Sequence, residues 1–178
     1  TYLEAKRNGL ADSFTVSIYM KSKLEEKQFE AAKLAFDEFS QKDADYVVYV
    51  NYMTMAGREG NLEELKRCFN EAKAKGVANA KVYSVYMDQL SAISNQIRKK
   101  NKATAALSSS LLNFDEAKAI FDEARNGSFL SEELIVQYIN CACKHNKFAE
   151  ADEGLLALHE KGGSTETVRQ NVQNWKIL

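Results

Sequence analysis

The sequence predicts an all-α protein built as a solenoid of antiparallel helix pairs. Its 178 residues contain no Pro and only eight Gly, although these two residues punctuate the turns of loop-rich β folds. Apolar residues instead recur at helical spacing, and the pattern repeats with a period near 34 residues. Because one helix pair cannot bury its apolar face alone, neighbouring pairs are expected to stack around a shared core.

The clearest copy of this pattern runs from Val47 to Ala80. Gly60 and Asn61 divide it into two predicted amphipathic helices, and Gly76 ends the second helix. The apolar positions are Tyr49, Tyr52, Met53 and Ala56 in the first helix, and Leu62, Leu65, Phe69 and Ala72 in the second. We expect the large members of this set, such as Tyr52 and Phe69, to be buried.

Four copies of the second helix align in one register. Its first position holds Phe29, Leu62, Phe114 and Phe148, its fourth holds Ala32, Leu65, Ala117 and Ala151, and Phe36, Phe69, Phe121 and Leu155 follow one turn later. The register predicts one helical-repeat domain over residues 1–178, with repeats 14–46, 47–80, 81–132 and 133–163 and half-repeats 1–13 and 164–178. An insertion near residues 91–113 lengthens the third repeat, and we expect it to lie outside the core.

Particular strings in the second repeat resemble the pentatricopeptide-repeat family. Its first helix opens Val-Val-Tyr and closes Gly-Arg-Glu-Gly-Asn-Leu-Glu-Glu-Leu, and Lys75-Gly76-Val77 follows Phe69. The tetratricopeptide family shares the period, but its Trp and Leu-Gly pair are missing here. The resemblance covers nearly the whole chain, although the usual Pro near the end of each repeat is absent. It implies a right-handed superhelix that binds single-stranded RNA, one base per repeat.

The resemblance also implies where a ligand would bind, on a stripe of first-helix residues along the concave face. The base-reading positions map to Ser17, Val50, Ser84 and Val136, with repeat-ending partners Asp45 or Tyr46, Ala80, Glu132 and Ser164. Later turns of the same stripe present Lys21, Thr54, Asp88 and Asn140, followed by Glu25, Arg58 and Lys144. Since valine cannot hydrogen-bond to a base edge and the charges nearly cancel, the stripe favours a protein or peptide partner. Single-stranded RNA is the alternative.

The net charge of the chain also favours a protein or peptide partner over RNA. A formal net charge of -1 creates no long-range field that would attract phosphate groups. The densest basic run, Arg98, Lys99, Lys100 and Lys102, lies in the insertion. It is either a solvated segment or a contact for phosphate or an acidic partner.

No apolar run is long enough to cross a bilayer, so membrane insertion is not expected. Trp175, in the last half-repeat, is expected to pack against the preceding pair, with self-association through uncovered ends as the alternative.

No catalytic, cofactor or metal site is expected. The sequence shows no phosphate-binding glycine loop and no nucleophile paired with a base. Cys141 and His145 would share a helix face, but Cys143 would be rotated from Cys141 by about 200°, so buried cysteines are a better interpretation than a zinc site. Three cysteines without a disulfide-scaffold spacing favour a reducing compartment, the cytoplasm or an organelle matrix.

Overall fold

The computed structural model describes residues 2–42, 44–100 and 114–177, with only the backbone described for 98–100. These residues form ten helices and no strand, which confirms the all-α prediction. The helices are α1 (Tyr2–Arg7), α2 (Ser13–Glu25), α3 (Phe29–Ser40), α4 (Tyr46–Glu59), α5 (Leu62–Ala74), α6 (Ala80–Lys100), α7 (Phe114–Asn126), α8 (Glu132–Lys144), α9 (Phe148–Glu160) and α10 (Glu166–Ile177). The chain divides into two compact units, an N-terminal unit Thr1–Gln96 and a C-terminal unit Ile97–Leu178.

The helix boundaries follow local sequence signals. Short polar side chains cap the helix starts: Asp12 accepts from the Thr15 amide, Asp45 from the Val47 and Val48 amides, and Ser131 from the Leu134 amide. Gly60 ends α4 with φ 72° and Gly76 follows α5 with φ 69°, in the left-handed region that glycine occupies without strain. The predicted stops at these two glycines are confirmed.

The first position of the aligned second helices coincides with a helix start in the structure. Phe29, Leu62, Phe114 and Phe148 are the first residues of α3, α5, α7 and α9. Three residues later, each helix places a fully buried side chain against the core, namely Ala32, Leu65, Ala117 and Ala151. A small or apolar side chain at this fourth position lets the partner helix approach closely, so the alignment identifies true core positions.

Stacked aromatic rings join successive helix pairs within each unit. In the N-terminal unit, ring centroids lie 4.5 Å apart for Tyr2 and Tyr19, 4.0 Å for Phe36 and Tyr52, and 3.9 Å for Phe69 and Tyr86. In the C-terminal unit, Phe121 stacks on Tyr138 at 4.1 Å. Each stack connects the second helix of one pair to the first helix of the next pair, as Phe36 of α3 does with Tyr52 of α4. The expected burial of Tyr52 and Phe69 is confirmed.

A charged cluster around Glu64 reinforces the stack of Phe36 on Tyr52. Glu64 accepts hydrogen bonds from the Tyr52 hydroxyl at 2.8 Å, Lys33 Nζ at 2.7 Å and Arg67 Nη2 at 2.7 Å. The Arg67 guanidinium also lies over the Phe36 ring, 5.6 Å from its centroid. Burial alone would raise the pKa of Glu64, but the bonds from Arg67, Lys33 and Tyr52 outweigh burial and lower the pKa to about 2.

The segment predicted as an insertion is partly a core element. Helix α6 continues through residue 100, Ile93 and Ser94 are buried, and Gln96 Nε2 donates to the Gly57 carbonyl at 3.3 Å. Ile93 and Ser94 therefore belong to the core, unlike the expectation for the insertion, because the helical apolar spacing of α6 continues through Ile93. Residues 101–113, which include Lys102, lie outside the described part of the chain.

In the C-terminal unit, α10 packs against α8 and α9 through Val172, which is buried in the core cluster with Ile139 and Tyr138. Trp175 was expected to pack against the preceding pair, but its side chain is 39% exposed. Residues three apart lie on one face of a helix, and Trp175 is more exposed than Val172 because it lies almost one turn nearer the end of α10 at Ile177.

Replacing Phe69 with Ala should lower the free energy of unfolding by about 3 to 5 kcal/mol, because the ring is buried between α5 and α6 and leaves a cavity. Phe14→Ala is the matched control, since the Phe14 side chain is 70% exposed and its loss should cost under about 0.5 kcal/mol. Urea unfolding followed by circular dichroism measures both changes. Equal effects in the two variants would contradict the packing described here.

Glu64→Gln should remove a pH-dependent part of the stability. The pKa of Glu64 is lowered on folding, so its contribution is present above the unfolded-state pKa near 4.5 and is lost as pH falls towards 2. Wild-type protein should therefore lose about 2 kcal/mol more than Glu64→Gln between pH 6 and pH 3, as measured by urea unfolding. Glu63→Gln, in the exposed first turn of the same helix, is the control that should behave as wild type.

Candidate binding groove

An open groove runs between α2 and α4 in the N-terminal unit and encloses about 580 Å³. These are the first helices of two consecutive predicted repeats. Four residues of the predicted binding stripe, Ser17, Lys21, Thr54 and Arg58, line it together. The other lining residues are Ser13, Phe14, Ile18, Leu24, Asp45, Val47, Asn51 and Met55.

The walls of the groove are apolar and exposed. Phe14 is 70% exposed and Ile18 is 54% exposed, and Val47 lies opposite them on α4. Helix α2 can present them because it carries apolar residues on both faces, with Val16 and Met20 directed into the core. Large apolar side chains gathered in a concave surface are typical of contact sites for a partner.

Two polar side chains of the groove, those of Asn51 and Ser17, make no hydrogen bond within the described residues. Asn51 is half-buried, and its amide makes no hydrogen bond within the described residues. The Ser17 hydroxyl is buried without a partner, whereas the Thr54 hydroxyl donates to the Val50 carbonyl at 2.8 Å. The Asn51 amide therefore has both a donor and an acceptor available to a ligand.

The charges of the groove are separated along its length. Asp45 lies at the end where the helices begin, and its carboxylate accepts from two backbone amides of α4. Lys21 and Arg58 lie towards the other end, and both are exposed. Neither cation forms an ion pair or hydrogen bond within the described residues, so both are available to a ligand.

At the corresponding position between α4 and α6, side chains of one helix pack directly on the other helix. There the Gln89 side chain rests directly on Gly57, and a Cβ atom on Gly57 would lie 2.7 Å from Gln89 Cδ and 2.9 Å from Gln89 Cβ. In the sequence register, Leu24 of α2 corresponds to Gly57 and Met55 of α4 corresponds to Gln89. Leu24 and Met55 both line the groove between α2 and α4, whereas Gly57 leaves room for the Gln89 side chain between α4 and α6.

Several residues of the predicted stripe do not face this groove. Val50 is half-buried, and its neighbour Asn51 lines the groove instead. Ser84, also a residue of the predicted stripe, is only 2% exposed on α6. Asp88 is exposed on α6 and accepts a hydrogen bond from the Gln89 amide at 2.8 Å.

The remaining stripe residues belong to the C-terminal unit. Glu132, Asn140 and Lys144 are exposed on α8, and Val136 packs half-buried against the core cluster. Of the basic run, Arg98, Lys99 and Lys100 continue α6, but only their backbone is described.

The three cysteines are free and buried. Burial raises the pKa of the Cys68 and Cys143 thiols, which keeps both in the unreactive protonated form. Among the described residues, no group of three or more His, Cys, Asp or Glu side chains could hold a metal ion. Searched over the same residues, no helix has the length and apolar character needed to cross a membrane.

Sequence reasoning missed Phe14, Ile18 and Asn51 as groove residues. The available signal was the composition of α2, where apolar residues occur on both faces although only one face is needed for the core. No known family model matches the sequence, and no curated protein is detectably similar to it. The pentatricopeptide resemblance therefore stays a prediction.

Gly57→Ala should destabilise the protein by about 1 to 3 kcal/mol, although alanine is the better helix former by about 1 kcal/mol. The added methyl group would overlap the Gln89 side chain. The measurement is the free energy of unfolding in urea.

The double variant Gly57→Ala with Gln89→Ala tests the cause of this loss. It should recover part of the stability, because truncation removes Cγ, Cδ and the amide of Gln89. A Gly57→Ala variant as stable as wild type would contradict the close approach of α4 and α6.

Proposed function

We propose that this chain is a non-catalytic helical-repeat module of the pentatricopeptide type, a right-handed solenoid of helix pairs that acts as a protein-interaction scaffold. Its partner binds as a peptide segment in the groove between α2 and α4. The observation that carries the proposal is the groove itself, an open apolar cleft with exposed Phe14 and Ile18 on one wall.

The aromatic stacks support the repeat arrangement. Partner rings are separated along the chain by 17, 16, 17 and 17 residues in the stacks that begin at Tyr2, Phe36, Phe69 and Phe121. The nearly constant separation means that these four junctions use the same kind of contact. Repetition of one contact between neighbours is what generates a solenoid.

Two features of the groove favour a peptide over RNA. A peptide side chain gains affinity by burying apolar surface against residues such as Phe14 and Ile18. Single-stranded RNA needs a continuous row of cations and stacking platforms, but the groove offers only Lys21 and Arg58 as cations. Of the four base-reading positions, Ser84 and the Ser17 hydroxyl are buried, and Val50 and Val136 cannot hydrogen-bond.

The groove chemistry also favours binding over catalysis. No Cys or His lines it, and the Asp45 carboxylate is engaged by the start of α4. Lys21 and Arg58 have no hydrogen-bonded acid or base beside them that would activate a nucleophile. This composition can hold a ligand but supplies no general acid and base pair.

Single-stranded RNA remains the alternative, and a titration separates the two proposals. Random RNA pools, titrated at about 0.15 M salt and followed by fluorescence anisotropy, should bind no more tightly than about 1 μM. Nanomolar binding to one selected RNA, lost on Ser17→Ala or Ser84→Ala, would overturn the protein-binding proposal.

A phage-displayed random-peptide library, selected on the full chain, tests the positive part of the proposal. Enriched peptides should bind wild type and lose at least about tenfold in affinity on Phe14→Ser with Ile18→Ser, since both exposed side chains form the apolar wall. Leu156→Ser is the control, because Leu156 is equally exposed but lies on α9 in the C-terminal unit. Enrichment of no peptide, or equal loss in the control, would contradict the assignment of this groove.

A further inference from the structure

We propose that the groove between α2 and α4 selects an extended acidic peptide, in which an apolar side chain and an acidic side chain lie about three residues apart. This inference rests on the proposed function and specifies its partner class. The apolar side chain lies against Phe14, Ile18 and Val47, and the acidic side chain meets Lys21 and Arg58.

The spacing follows from helix geometry. Phe14 and Lys21 lie seven positions apart on α2, which corresponds to about 10 Å along the helix axis at 1.5 Å per residue. An extended peptide advances about 3.3 Å per residue. A peptide side chain that contacts Phe14 and one that contacts Lys21 are therefore about three peptide residues apart.

The charge preference follows from the two cations. Lys21 projects from α2 and Arg58 from α4, so the basic end of the groove is built by both helices. The nearest acidic side chains along the chain are Glu25 and Glu59, but neither lines the groove and neither pairs with these cations. A carboxylate between Lys21 and Arg58 would gain two charge-assisted contacts. Asp45, at the opposite end, disfavours a carboxylate there and so restricts the acidic side chain to the end that carries Lys21 and Arg58.

The side-chain amide of Asn51 favours an extended peptide over a helical one. Its amide lies between the apolar wall and the basic end and has no hydrogen bond within the described residues. A side-chain amide can donate to a peptide carbonyl and accept from the next available peptide amide. In an extended chain those backbone groups are free to pair, whereas in a helical ligand they are bonded internally.

The experiment is the same peptide-display selection repeated on a charge-reversed groove, Lys21→Glu with Arg58→Glu. Peptides enriched on wild type should carry Asp or Glu about three positions from an apolar residue, and their affinity should fall at least about tenfold on the reversed groove. Selection on the reversed groove should enrich Lys or Arg at that position instead. Such an exchange of preference requires a folded groove, which circular dichroism of the variant verifies.

Lys147→Glu with Lys161→Glu is the matched control, because it changes the net charge equally at exposed residues of the C-terminal unit. It should retain the wild-type preference. Peptides that bind through Phe14 and Ile18 without an acidic preference would overturn this inference and leave the proposed function standing. Failure to enrich any peptide would overturn both, and an acidic preference that persists on the reversed groove would overturn this inference alone.

Discussion

The stacked contact between an aromatic side chain on a second helix and a tyrosine on the next first helix determines how this chain is assembled. Burying two rings face to face removes a large apolar area from water and fixes the relative rotation of the two helices. With centroids 4.0 Å apart for Phe36 and Tyr52 and 3.9 Å for Phe69 and Tyr86, α4 and α6 are each held against the preceding pair in the same way. The groove depends on this constraint, since its walls are the first helices that the stacks position.

Polar side chains add hydrogen bonds and ion pairs around the stack of Phe36 on Tyr52. Burial favours the neutral forms of Tyr52 and Glu64, but Lys33 and Arg67 keep Glu64 ionised while Tyr52 donates to it. The equivalent Tyr138 of the C-terminal unit is buried without a partner for its hydroxyl. The ring contact therefore forms without the hydrogen bond that Tyr52 makes, although an arginine accompanies it in both units, since Arg125 lies over Phe121 with 5.5 Å to the ring centroid.

Much of the fold could be predicted from the sequence, and less of the binding groove. The helix start at Leu62 was predictable because the apolar period and the preceding Gly60-Asn61 turn signal coincide there, and the start at Phe29 followed from its alignment with Leu62. It was harder to predict which side chains face the groove, because an alignment error of one residue changes the direction of a helical side chain by about 100°. Val50 and Asn51 differ by this amount, and Asn51 lines the groove. The exposure of Phe14 was also hidden, since periodicity assigns apolar residues to a core and does not reveal which are left for a partner.

If stacked rings, and not generic apolar burial, couple successive helix pairs, then the two rings of one stack should be energetically coupled. A double-mutant cycle on Phe36→Leu and Tyr52→Leu, measured by urea unfolding, should give a coupling energy of about 0.5 to 1.5 kcal/mol. For Phe36→Leu with Tyr86→Leu, whose rings belong to different stacks, the effects should add within about 0.5 kcal/mol. Additive effects for Phe36 and Tyr52, or equal coupling in both cycles, would show that the rings contribute only apolar burial.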